Sequence, residues 1–197
     1  KVIEQGLVDE VWLMVSPQNP LKQAATDLMP EQDRLALARQ AVEDCPKILA
    51  SDFEMQLPLP SYTWRTMEAL RERYPNYAFS LIIGADNWVN FSRWAHHEAL
   101  LAEYPLLVYP REGYPIASET LPPTVHIIDA PLFPFSSTSI RNLLADGKDS
   151  EKRTRARFGL DVVSELERIP STDVVILKDE LDRTPVDERL LQLAEEN

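Results

Sequence analysis

From Val11 to Ile128, short apolar runs alternate with stretches whose apolar residues recur every three or four positions. Val11–Val15, Ala78–Ile83, Leu106–Tyr109 and Val125–Ile128 read as strands, and Lys47–Leu57 as a strand and loop. Between them, Pro30 suits a first helical turn, Glu31 and Asp33 follow it, and Leu35, Ala38, Val42 and Cys45 share one helical face that Pro46 closes. Ser61-Tyr62-Thr63 opens a second helix with Met67 and Leu70 at core spacing. A short helical stretch carries Trp88, Phe91 and Trp94, and a further helix covers His96–Glu103. Strands that alternate with helices close into a parallel sheet, because each crossover helix returns the chain to the same edge. The expected class is α/β with a doubly wound parallel sheet, whose ligands bind outside the carboxyl ends of the strands.

The start of the chain adds a detail. Val2–Gln5 followed by Gly6 reads as the last turn of a helix with a left-handed glycine after it, leading into the strand at Val11. A helix tail feeding a strand implies a first strand and most of a first helix before Lys1, so the sheet is expected to lack its first strand. The other end differs in kind. From Asp149 onward, 13 acidic and 8 basic residues make 21 of the last 49 positions charged, and Phe158 is the only aromatic there. The expected division is therefore an α/β domain over residues 1–148 and a charged, largely helical tail over 149–197, with a short strand at Val174–Leu177.

Composition narrows the function. With 20 Lys and Arg against 32 Asp and Glu, the net charge of −12 argues against a protein that holds nucleic acid on a broad basic surface. A single cysteine, Cys45, rules out an intrachain disulfide and a cysteine-only zinc cluster, which fits the reducing cytoplasm. No apolar run reaches the ~18 residues of a membrane span, and no basic-then-apolar signal opens the chain. Five isolated glycines against sixteen prolines leave neither G-x-G-x-x-G nor a P-loop.

Phosphate binding has another route. Ser136, Ser137, Thr138 and Ser139 precede Arg141 in a stretch bounded by Pro134 and Gly147, which places a hydroxyl cluster at a helix N-terminus. Backbone N–H groups and the helix dipole favour an anion there, and Arg141 shares the face of Ser137 and Thr138. Ordinary helix capping explains the same residues. Gly84-Ala85-Asp86-Asn87 ends a buried strand and puts the Asp86 carboxylate where a ribose or a cation is met, with the Trp94 indole as a stacking face; helix capping and core packing are the bland alternatives. Lys22, in the loop Asn19-Pro20-Leu21-Lys22, reaches a phosphate or only solvent. Thr63 holds a carboxylate or amide, or caps its helix. His96 and His97 are adjacent and point about 100° apart on a helix, which does not make a tetrahedral metal set. His126 falls inside a strand.

Taken in order, these pieces resemble the bacterial nicotinate mononucleotide adenylyltransferases of the nucleotidyltransferase superfamily. The resemblance is carried by Val11-Trp12-Leu13-Met14-Val15-Ser16-Pro17 with Lys22, Pro60-Ser61-Tyr62-Thr63, Ile82-Ile83-Gly84-Ala85-Asp86-Asn87 with Trp94, Val108-Tyr109-Pro110-Arg111, and Ser136-Ser137-Thr138-Ser139-Ile140-Arg141. It implies a Rossmann-like fold and transfer of AMP from ATP to nicotinate mononucleotide, with magnesium carried by ATP. By the same resemblance, Ser136, Thr138 and Arg141 hold the ATP phosphates. Lys22 lies near the mononucleotide phosphate, Thr63 near the nicotinate carboxylate, Trp94 stacks on the pyridine ring, and Asp86 sits in the nucleotide site. Two family features are missing from the 197 residues: a Gly-x-Phe-x-Pro-x-His-x-x-His loop and an aromatic C-terminal helical region. No catalytic residue is assigned, and weak nucleotide binding with little turnover is expected of the chain as it stands. The sequence leaves open a sibling acceptor, a non-catalytic regulatory role and self-association.

Overall fold

In the computed structural model of the chain, residues 2–17, 30–132 and 175–180 are described. The strands are β1 (Glu10–Met14), β2 (Ile48–Ser51), β3 (Tyr77–Gly84), β4 (Leu106–Tyr109), β5 (Val125–Ile127) and β6 (Val175–Glu180). The helices are α1 (Glu31–Ala41), α2 (Thr63–Arg73), the single turn α3 (Ala85–Trp88) and α4 (His97–Glu103). All six strands form one sheet in the order β2-β1-β6-β3-β4-β5. β1 pairs parallel with β2, β3 with β4, and β4 with β5, as the strand and helix alternation requires. The fold is α/β as expected.

One strand runs against the rest. β6 lies between β1 and β3 and is antiparallel to both. Val175 is opposite Leu13 and Ile82, near the carboxyl ends of the parallel strands, and Tyr77 is opposite Glu180. A segment that enters the sheet from the carboxyl edge must run opposite to strands that end there, so its direction follows from its point of entry. The strand read at Val174–Leu177 thus exists, slightly displaced, and its place is the middle of the sheet.

The period-2 pattern of the strands splits the core between two faces. Trp12, Met14, Phe79, Leu81, Ile83, Leu106 and Val108 face α2 and α4, where Met67, Leu70 and Leu100 meet them. Val11 and Leu107 face the other way, onto Val2, Leu7, Val8 and Ile128. Val15 packs with Leu35 and Ala38 of α1. Met67, Leu70, Leu81 and Leu106 are completely buried, which stabilises the fold by about 1.5–3 kcal/mol for each side chain.

The opening turn bears out its reading in detail. Gly6 has φ 68°, its N–H donates to the Ile3 carbonyl, and the Leu7 N–H donates to the Val2 carbonyl. These are the two bonds of a Schellman ending, and the Val2 and Leu7 side chains share one apolar cluster, as that motif favours. Farther on, α1 stops at Ala41 rather than running to Pro46, so Val42 is only half-buried and Cys45 is exposed instead of lying on the helix face. Among the described residues, no helix is long and apolar enough to cross a membrane.

Candidate nucleotide site at the carboxyl edge

The parallel strands end side by side, with Met14, Gly84 and Tyr109 closing β1, β3 and β4. The chain beyond these ends, together with the N-terminus of α2, lines the edge where open α/β sheets bind ligands. Thr63, Asp86 and Trp94 are all found here, half-buried.

Thr63 is the first residue of α2. Tyr62 occupies the cap position in extended backbone, and neither it nor any neighbour caps the helix with a side-chain hydrogen bond. The capping explanation for this stretch is therefore not realised, and the Tyr62 carbonyl accepts from the Arg65 and Thr66 N–H groups. The Ser61 hydroxyl is buried without a hydrogen-bond partner among the described residues, as is the Trp94 indole N–H. The ring of Trp64 packs 4.2 Å from that of His96, which brings the start of α2 against the segment that carries Trp94. Trp94 itself leans on buried Phe91, with ring centroids 5.2 Å apart, and Phe91 stacks on Trp88 at 5.5 Å. Trp94 thus has one side in the core and is half-exposed, which leaves it able to meet a flat ring.

Asp86 lies in α3, directly after β3. It does not cap that turn, whose N-cap is Gly84 with no side-chain bond. Its Oδ1 is 2.9 Å from Nε of Arg111, the second residue after β4. The N–H direction is off the line to that oxygen, so Oδ1 is in charge contact without a directed hydrogen bond. Tyr109 donates its hydroxyl to the Pro131 carbonyl at 2.6 Å, and burial raises its pKa above the ordinary tyrosine value while Arg111 pulls it back.

Arg34 was not singled out in the sequence reading. It is buried in the first half of α1, and its guanidinium donates to the carbonyls of Ser16 at 2.8 Å and Pro17 at 3.3 Å. It holds the chain where β1 runs out toward the loop of Lys22. A polar residue 17 or 18 positions from its partners leaves no local signature, although an arginine on the apolar face beside Leu35 and Ala38 was the available clue. Lys22, Ser136, Thr138 and Arg141 lie outside the described residues. Among the described residues, no three His, Cys, Asp or Glu side chains are grouped to hold a metal ion.

Residues 2–143 match the cytidylyltransferase-like family model, and the chain belongs to that family. Among its relatives, a probable nicotinate-nucleotide adenylyltransferase of Bacteroides fragilis is 50% identical over 145 residues, covering 74% of this chain and 71% of the relative. A protein of the same name from Flavobacterium johnsoniae is 44% identical over 147 residues, covering 72% of this chain and 74% of its own length. A solved structure of a nicotinic acid mononucleotide adenylyltransferase from Plasmodium falciparum, complexed with NaAD, superposes with a TM-score of 0.57 at 21% identity over 69% of each chain. That likeness concerns the fold.

Proposed function

We propose that this chain binds ATP and nicotinate mononucleotide at its carboxyl edge for adenylyl transfer in NAD biosynthesis. The mononucleotide phosphate attacks the α-phosphorus of ATP; nicotinate adenine dinucleotide forms and pyrophosphate leaves. The observation that carries this reading is the 50% identity, over most of both chains, to a relative named for that activity. The geometry supports it: an uncapped α2 N-terminus at Thr63, a half-exposed indole at Trp94 and a carboxylate at Asp86 share the edge. The positive end of the α2 dipole favours an anionic acceptor ring over a neutral amide.

In-line transfer between two phosphates needs positioning and charge neutralisation more than a protein nucleophile. On this reading Lys22 meets the acceptor phosphate, and Ser136, Thr138 and Arg141 hold the phosphates of ATP. Magnesium carried by ATP would offset charge on those phosphates. Soluble copies of the chain acting singly or as a homo-oligomer would both satisfy this scheme.

Calorimetric titration tests it. Nicotinate mononucleotide is expected to bind about tenfold more tightly than nicotinamide mononucleotide, a difference of about 1.4 kcal/mol. Trp94→Ala should lower acceptor affinity by roughly tenfold, the scale of one lost aromatic stack. Preference for pantetheine phosphate, or no binding of either mononucleotide, would overturn the reading.

A further inference from the structure

We infer that Arg111 is a positioning residue for Asp86, and that Gly84 is glycine because the pair rests on it. The inference builds on the reading of this edge as the nucleotide site. Gly84 and Tyr109 are register partners at the ends of β3 and β4. Asp86 and Arg111 each lie two residues beyond those partners, so neighbouring strand ends deliver opposite charges to one point.

Three observations give the pair a purpose beyond a surface contact. A Cβ added to Gly84 would lie 2.6 Å from Arg111 Nε and collide with Asp86 Oδ1, so any larger residue pushes the two apart. Asp86 Oδ1 is fully buried, yet the side chain as a whole is 37% exposed, which leaves Oδ2 as the oxygen turned to solvent. The carboxylate rotamer is thereby fixed by charge on one side and by the strand end beneath it. Finally, an ion pair with 43% and 37% exposed partners contributes little to folding, so holding a carboxylate in one orientation is the effect that remains. A fixed acceptor costs a donor such as a sugar hydroxyl less ordering when it binds.

The test is a double-mutant cycle on the full chain, read by titration with ATP and with nicotinate mononucleotide. Arg111→Met should weaken whichever nucleotide meets Asp86 by about tenfold, within the usual range of coupling between touching residues. It should leave the melting temperature unchanged within about 2 °C. In an Asp86→Asn background the same change should cost almost nothing further, and Arg111→Lys should restore part of the loss. An equal loss in both backgrounds would show that Arg111 acts on the ligand directly and overturn the inference. The Arg111 Nε–H resonance gives a readout without ligand: it should move on Asp86→Asn, and an unmoved resonance also overturns the pairing. If the wild-type chain binds neither nucleotide, the functional reading fails while the resonance still decides the pair.

Discussion

The two parallel halves of the sheet follow the same strand and helix logic, yet they are not equally self-sufficient. β3, β4 and β5 carry both described faces of the core: Leu81, Leu106, Leu107 and Val108 are completely buried. β1 and β2 form a two-stranded ladder in which every β2 residue is half-buried or exposed. Such a pair is marginal without further strands or a covering helix. The two halves share side-chain packing, Trp12 and Met14 with Phe79 and Leu81, but their strand ladders are joined through β6, which pairs with β1 on one side and β3 on the other. Most of the described site residues stand on the larger half, whereas the strand that joins the halves lies outside the residues matched by the family model. The residues matched by the family model and the strand that joins this sheet thus lie in different parts of the chain.

The harshest way to break this comparison is to end the chain at residue 174, which removes β6. Loss of cooperative melting is expected, of the order of the whole stability of a small domain, about 5 kcal/mol or more. Amide exchange should rise through β1 and β2 first and least in β3 and β4. An unchanged melting curve would show that the halves cohere without β6.

A smaller effect sharpens the contrast within the core. Leu106→Ala empties a fully buried position of β4 and should cost about 2–5 kcal/mol in urea unfolding. Leu49→Ala in β2, at a side chain 43% exposed, should stay within about 0.5 kcal/mol. Equal losses would erase the distinction between the halves.

The smallest expected effect concerns pH. Tyr104, after α4, has its pKa raised, chiefly by burial, with Arg71 opposing. Its neutral form is the one the fold favours, so the contribution to stability is intact below the ordinary tyrosine pKa of about 10 and is lost as pH rises through the folded value. Melting temperature should therefore decline in alkali, and Tyr104→Phe should flatten the decline. A decline of the same slope in the variant would assign it elsewhere.

How much of this was legible beforehand varies with the range of the interaction. The Gly6 ending was read from a few adjacent residues and holds bond by bond, because a Schellman turn is a local object. The ends of β3 and β4 and the start of α2 fell within a residue or two of expectation, since apolar period and turn residues sit in the same short windows. α1 ends at Ala41, short of Val42 and Cys45, which do not join the described core cluster of Leu35 and Ala38. In the site, Asp86 was placed correctly at a strand end, but the bland reading of it as a cap missed Arg111, 25 positions away. The alternatives for Thr63 narrowed only when the start of α2 proved to have no side-chain cap.

The sequence by itself determined the elements, the α/β class and the family, because each depends on periods, caps and residue identities found within short stretches or matched in order along the chain. The tertiary structure decided that Val175–Glu180 enters the middle of the sheet antiparallel, that Arg34 grips the end of β1, and that Asp86 faces Arg111 over Gly84. The physical reason is common to all three. Strand pairing, burial of a charge and the meeting of two strand ends are energies between distant residues, and Val-Ile-Leu-Lys-Asp-Glu is compatible with either strand direction until neighbouring backbones offer their hydrogen bonds.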